Sequence, residues 1–315
     1  MLSGPNTTFH GEEGAIAEKS VYAVRSMQGW RPTNEDAYLA ERGCPNDNGM
    51  YCIFDGHGGT FAANFLKNHL SEFMRKIMDS SVGTIDVEDE EALRNLLVQT
   101  FEETDRSLHA ACLNENQKNC GSTGCVCSCT KEYFVTAWVG DSRAVLSRKG
   151  GKAVPLTTFD HKPTCEDERL RVCNAGGVVV NNRVNAVLAV SRAFGDFFLK
   201  DMTAKSPDMV VTSTPSTTCI PRMEGDEFLL LACDGIWDVM SCDRAIGFVR
   251  ESLRHDLLSG GGRRFSPNAG SIAAEKLINK CLGLGSRDNM SAMVVMFPDA
   301  ERPLRQKASL VCTLF

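Results

Sequence analysis

The sequence predicts an α+β fold in which antiparallel sheets are covered by helices on their outer faces. Three observations predict it. Apolar residues recur at helical spacing early in the chain, short strands joined by brief turns fill its middle, and helical spacing returns late. Regular strand–helix–strand alternation, which a doubly wound parallel sheet needs, does not occur.

Val21 to Met27 alternates and reads as a strand; Gly49 to Phe54 reads as another. Phe61, Phe65, Leu66, Leu70, Phe73, Met74, Ile77 and Met78 fall at three- and four-residue steps, so a helix is predicted over Thr60 to Met78. An acidic connection, SSVGTIDVEDEE, leads to a second helix marked by Leu93, Leu97, Phe101, Thr104, Leu108 and Cys112. Gly121 to Thr130, Tyr133 to Val139, Arg143 to Ser147 and Lys152 to Leu156 read as a meander of hairpins. Glu166 to Asn174 reads as a helix closed by Gly176 and Gly177. Short strands return through Val190 and at Phe228 to Cys233, followed by helices near Asp243 to Leu257 and Ser271 to Leu282. Met290 to Phe297 reads as a buried closing strand.

Residues 1–19 are expected to form a tail, 20–298 a single domain and 299–315 a second tail. The insert SGGGRRFSPNAG, residues 259–270, is expected as a mobile surface loop. Ser266 within it is either a phosphorylation site or part of plain linker.

The 315 residues, 43% of them hydrophobic and 23% charged, suit a globular protein. A net charge of −6 excludes the basic face that nucleic acid requires. The longest clean apolar run, Phe228 to Cys233, is far short of a membrane span. The polar, acidic N-terminus resembles neither a secretory signal nor a transit peptide. Fourteen cysteines without zinc-type spacing or a small disulfide framework are expected to be reduced thiols, in a cytosolic or nuclear protein that works as a monomer. Cys125, Cys127 and Cys129 alternate along one strand face, either as small core residues or as a metal site.

Several stretches share one grammar: a carboxylate stands at the end of an apolar strand. Asp55 follows YCIF, Asp141 follows VG, Asp234 follows LLLAC, and Asp288 precedes the closing strand. Glu35 and Asp36 precede another strand. A buried, unpaired carboxylate costs several kcal/mol, and Lys and Arg are scarce beside these aspartates in sequence. Divalent cations are the economical counter-charge. Oxygen-only donors select magnesium, manganese or calcium, and a carboxylate bridging two such ions makes a hydrolytic two-metal site.

On these residues the chain resembles the metal-dependent Ser/Thr protein phosphatases of type 2C. The stretches GWRPTNEDAY, FDGHGG, CGSTG, VGDSRAVL, LTTFDHKP, AGGVVVNNRVN, LAVSRAFGD, LLLACDGIWDV and SRDNMSAMVV run in the family's order from Gly29 to Val295. The resemblance implies a central β-sandwich of two antiparallel sheets flanked by helices on both sides. It implies two magnesium or manganese ions, with a weaker third, and phosphoprotein substrates. Phosphoserine and phosphothreonine would be hydrolysed by metal-activated water without a phosphoenzyme. By the same resemblance Asp55 bridges the metals, Gly56 offers its carbonyl, and Asp234 and Asp288 are ligands. Glu35 and Asp36 hold metal-bound water or touch a metal, and Asp141 serves the third ion. Arg31 grips the phosphate and His57 is the general acid, with Thr123 and Asn289 in support. Asp196 in FGDF matches a recurrent family residue and is read as structural. The chain departs from the family at Gly124, where Ala is usual, and at Ala186, where Gly is usual and unusual backbone angles are expected.

Two other classes compete. A silent, partner-binding member would lack metal aspartates, and a two-metal nuclease would show a basic, aromatic groove; this chain has the aspartates and an acidic balance. The final residues Cys312-Thr313-Leu314-Phe315 fit a prenylation signal with a thin basic cluster upstream; the alternative is a frayed tail with a chance cysteine.

Overall fold

The structure, a computed structural model, describes residues 4–16, 20–42, 48–80, 89–205, 208–260, 264–298 and 300–305. Two antiparallel sheets stack as a sandwich. The first has six strands, in the order Asn6–Ile16, Ser20–Gly29, Met290–Met296, Asp226–Ala232, Arg143–Arg148 and Lys152–Pro155. The second has five, in the order Ser216–Pro221, Tyr133–Val139, Gly124–Cys129, Gly49–Phe54 and Ala37–Arg42.

Period-two alternation assigns the faces. Along Asp226–Ala232, Phe228, Leu230 and Ala232 face outward to helices, while Leu229 and Leu231 face the other sheet. In Gly49–Phe54, Met50, Cys52 and Phe54 face helices while Tyr51 and Ile53 enter the sandwich. Both faces of these strands are covered, which is why they read as continuous apolar runs. Cys125, Cys127 and Cys129 lie in the inter-sheet core beside Phe134 and Trp138, buried as small hydrophobes. The twelve cysteines among the described residues are free thiols.

Helices α1 (Phe61–Ser80) and α2 (Glu90–Asn114) cover the second sheet. A smaller subdomain follows the meander, with α3 (Glu166–Asn174) and the ribbon Val179–Val180/Arg183–Val184. Then come α4 (Asp234–Trp237), α5 (Cys242–Ser259), α6 (Ala269–Gly283) and α7 (Glu301–Arg305). Helices α5 and α6 cover the first sheet, giving α-β-β-α layers. Asp89 caps α2 by accepting from the Glu91 and Ala92 N–H groups, and Ser241 caps α5 by accepting from Arg244 N–H.

The structure differs from the sequence reading in four places. Both expected tails carry structure: Asn6–Ile16 is an edge strand paired with Ser20–Gly29, and α7 buries Leu304 in the core. Ser216–Pro221 is an edge strand that the sequence did not announce. The strand expected over Gly121 to Thr130 breaks at Thr123, because Gly121–Ser122 pairs separately with Gly56–His57 and with Phe194–Gly195. In the insert, Ser266 is tied down: its N–H and its hydroxyl both donate to the Asp256 carboxylate, and Phe265 packs on the core. Cys312 and the basic Lys307 upstream of it lie outside the described residues. Among the described residues no helix is long and apolar enough to cross a membrane.

Both departures at small residues have physical readings. A Cβ at Gly124 would stand 2.6 Å from the Phe194 ring, so the missing methyl makes room for that phenylalanine. Ala186 adopts φ +61°, a left-handed conformation that costs a non-glycine residue roughly 1–2 kcal/mol.

Candidate active site

One end of the sandwich gathers the carboxylates. Asp55 follows Gly49–Phe54 of the second sheet, and Asp234 follows Asp226–Ala232 of the first. Asp288, followed by Asn289, leads into the adjacent strand Met290–Met296, which runs the opposite way. Asp141 sits in the turn between Tyr133–Val139 and Arg143–Arg148, and Glu35 and Asp36 precede Ala37–Arg42. A cleft of about 690 Å³ opens there, lined by Asp55, Asp141, Asp234 and Asp288 together with Arg31 and His57.

A polar scaffold fixes these groups. Thr123 Oγ1 accepts from the Asp55 N–H at 3.2 Å and lies 2.8 Å from Ser142 Oγ, linking Asp55 to the Asp141 turn. Asn289 donates to the carbonyls of Gln28 and Thr33, and its Oδ1 accepts from the Glu35 N–H at 3.0 Å. Ser291 Oγ donates to Asp36 Oδ2 at 2.6 Å. Gly56 is a glycine because a Cβ there would meet the Glu35 carbonyl oxygen at 2.4 Å.

The electrostatics are those of crowded anions. Burial, then Asp141, Asp288, Asp238 and Asp36, push Asp234 up to about 8. Burial and the other carboxylates push Asp55 well above the ordinary carboxylate range. Burial, moderated by hydrogen bonds from Ser291 and Cys233, raises Asp36 to about 6. Asp36 Oδ1 is buried without a hydrogen-bond partner. An orphaned carboxylate oxygen beside crowded, half-buried carboxylates is a donor set that fits a hard divalent cation. Oxygens of Asp36 and Asp55 and the Cys233 sulfur lie within 4.8 Å of one another. Burial and the neighbouring carboxylates push the Cys233 thiol well above its ordinary value, so it sits there as a neutral thiol.

The expectation that cationic partners are scarce fails at two of the aspartates. Arg31 Nη2 lies 2.5 Å from Asp288 Oδ2, and Lys162 Nζ lies 3.2 Å from Asp141 Oδ2 and 3.5 Å from Asp238 Oδ1. Asp288 lies 257 residues beyond Arg31, a pairing no local pattern reveals.

His57, a third exposed, is held through Nε2 at 2.8 Å from Asp196 Oδ2, whose side chain is buried. Burial pulls the imidazole down, but the hydrogen bond and charge of Asp196 outweigh it and raise its affinity for the proton. Asp196, read from sequence as structural, thus touches the candidate acid directly. It stands at φ +51°, with the preceding Gly195 N–H donating to Asp105 Oδ1 and Lys200 Nζ donating to Asp105 Oδ2. Its place within LAVSRAFGD was the available signal; its contact with His57, 139 positions away, was not visible. Cys233 and Lys162 were likewise missed, although both stand inside quoted motifs.

A strand-end carboxylate cluster spanning both layers of an α-β-β-α sandwich, with a cationic fork and an imidazole at its rim, defines a class. The protein phosphatase 2C family model matches residues 20–290, and the chain belongs to that family and is an enzyme of that family. It is 36% identical over 313 residues to protein phosphatase 1B of Mus musculus, covering 96% of this chain and 76% of the relative. It is also 36% identical over 316 residues to protein phosphatase 1A of Homo sapiens, covering 96% and 77% respectively. Among solved structures, a sex-determining protein of C. elegans superposes with a TM-score of 0.73 at 25% identity, covering 90% of this chain and 67% of that one. A serine-threonine phosphatase 2C of Toxoplasma gondii gives 0.73 at 21% identity, covering 92% and 98%, which speaks for the fold alone.

Proposed function

We propose that the chain hydrolyses phosphoserine and phosphothreonine in proteins, in one displacement by water and with magnesium or manganese bound. The observation that carries this reading is the convergence of Asp55 and Asp234, half-buried and without cationic partners among the described residues, on a cleft rimmed by Arg31 and His57, with Asp36 close beside Asp55. Asp55, Asp36, Asp234, Asp288 and the Gly56 carbonyl would hold two ions, with Glu35 beside them and Asp141 serving a weaker third. The ions, when bound, supply Lewis-acid activation of water and neutralise charge on the transferring phosphoryl group.

The residues of this chain do the rest. The Arg31 guanidinium orients the phosphate oxygens, turning from Asp288 when substrate enters. Asp196 holds His57 Nε2, so that Nδ1 is the nitrogen that gives its proton to the departing serine or threonine oxygen. Thr123 and Asn289 keep the Asp55 and Glu35 backbones in register. Membrane attachment through a prenylated Cys312 would add a location to this activity without changing its chemistry.

The experiment is phosphate release from a phosphothreonine peptide with manganese and after chelation, alongside an activated aryl phosphate. Release must require the metal. His57→Gln should lose roughly 10²-fold on the peptide and much less on the aryl ester, whose leaving group needs no proton. Metal-independent release would refute the reading, and equal losses on both substrates would remove His57 as the acid.

A further inference from the structure

The thiols of Cys112 and Cys120 lie apart from the carboxylate cluster. Cys112 is in the last turn of α2, and Cys120 directly precedes the short strand Gly121–Ser122. Their sulfurs are 3.6 Å apart, across eight positions of sequence, and both side chains are buried. The residues between them, 113–119, are all exposed, with Asn116 at φ +54°. A buried sulfur pair under an exposed turn is a geometry that can close: a disulfide needs the sulfurs about 1.5 Å nearer, and the turn can yield.

The segment that would move is wedged against the catalytic turn at several points. The Cys120 carbonyl accepts the Asp196 N–H at 2.9 Å. A Cβ on Gly195 would stand 2.4 Å from that same carbonyl oxygen. A Cβ on Gly121 would stand 2.3 Å from Asp196 Oδ2 and 2.4 Å from His57 Nε2. A Cβ on Gly58 would stand 2.0 Å from the Asn119 carbonyl oxygen. The backbone of Asn119, Cys120 and Gly121 therefore lies against the glycine turn after His57 and against the residue that holds His57. Close packing of this kind transmits a displacement.

We propose that Cys112 and Cys120 are a redox modification site, whose oxidation to a disulfide by a hydroperoxide loosens the Asp196–His57 pair and lowers turnover reversibly. The two sulfurs are within hydrogen-bonding distance of each other, and a thiol donating across that contact stabilises a thiolate on the sulfur that accepts. Whichever of the two is left as the thiolate is the attacking sulfur. It takes one oxygen from hydrogen peroxide, releasing hydroxide and forming a sulfenic acid. The other sulfur of the pair then displaces that oxygen as water, forming the S–S bond. In sum, two thiols and one peroxide give one disulfide and two waters, with two electrons passing from sulfur to peroxide. The sulfur chemistry stands alone; its effect on turnover rests on the phosphatase reading above.

The test treats the full chain with a few equivalents of hydrogen peroxide and follows three readouts. Peptide mapping should find Cys112 linked to Cys120, with the protein lighter by two hydrogens. Hydrogen exchange at the Asp196 amide, which needs no activity, should speed up in the oxidised form by about tenfold or more as its bond to Cys120 weakens. Phosphothreonine-peptide turnover should fall about tenfold, aryl phosphate turnover less, and dithiothreitol should restore both. The Cys112→Ser/Cys120→Ser double variant, or Cys112→Ala if that does not fold, should form no such link and show no dithiothreitol-reversible loss. Native, oxidised protein without the Cys112–Cys120 link overturns the site. A link that leaves Asp196 exchange unchanged, or that lowers both substrates equally, overturns its coupling to His57. Absence of any turnover before oxidation would count against the phosphatase reading alone, since mapping and exchange still decide this one.

Discussion

One strand, Asp226–Ala232, carries acids at both ends, and the two ends differ in what surrounds them. At its start, the fully buried Glu227 receives Arg250 through Nε at 2.9 Å and Nη2 at 3.0 Å, with Ser147 Oγ donating at 2.7 Å. Its neighbour Asp226 is paired with Arg148 at 2.6 Å. Directly after its far end, Asp234 is surrounded by other carboxylates and has no ion pair among the described residues. The same backbone thus supports a closed structural ion pair at one end and an open anionic cluster at the other. The buried Glu227–Arg250 pair is architecture; crowded acids without a cationic partner, as at Asp234, are retained in a stable fold for a cation.

The largest effect that could break this comparison comes from the open end. Asp234→Asn should lower phosphate release by two to three orders of magnitude, the several kcal/mol a metal contributes, while melting no lower than wild type in chelator. Turnover near wild type in excess manganese would place Asp234 outside the site. The closed end should respond in reverse. Glu227→Gln removes the carboxylate charge from the buried pair with Arg250 and should cost about 3 kcal/mol in urea unfolding, with turnover per folded molecule unchanged. A turnover loss without destabilisation would erase the distinction.

A smaller effect comes from His161, which is buried at the same end as the cluster but without any acid as counter-charge in its hydrogen bonds. Its Nδ1 accepts the Gly140 N–H at 3.2 Å, so the ring proton is on Nε2, 2.9 Å from Ser216 Oγ. Burial, helped by Arg192, holds it down at about 3. The unfolded chain therefore binds this proton first. The contribution is intact above pH ~6.5 and is lost as pH falls toward the folded value, by about 2 kcal/mol at pH 5. Urea unfolding of wild type at pH 7 and pH 5 should show that loss beyond whatever His161→Gln shows; equal losses would contradict it. Ala186→Gly should have the smallest effect. It relieves the strain at φ +61° but adds chain entropy, for a net gain of roughly 0.5 kcal/mol and a rise in melting temperature of about 1–2 °C. A lower melting temperature would show that this conformation carries no net strain.

The sandwich was legible because its central strands are buried on both faces and its helices are strongly amphipathic. Tyr133–Val139 and Glu166–Asn174 match their sequence-derived bounds. The edges were not legible. Asn6–Ile16 is largely solvent-exposed, so no apolar alternation marks it, and Ser216–Pro221 is half-buried throughout most of its length. Within the site, residues whose chemistry is local to a motif, such as Asp55 and Asp234, could be named from the sequence. Partnerships across the fold could not: Arg31 with Asp288, Lys162 with Asp141, and Asp196 with His57 are set by topology.

The central claim is that the open end takes up divalent cations because Asp36, Asp55 and Asp234 have no cationic partner among the described residues. Calorimetric titration of manganese into chelator-stripped protein tests it most directly, comparing wild type with Asp55→Asn and Glu227→Gln. The account predicts saturable binding by wild type and Glu227→Gln, a rise in melting temperature on binding, and loss of both in Asp55→Asn. Binding that survives in Asp55→Asn, or that disappears in folded Glu227→Gln, would contradict it.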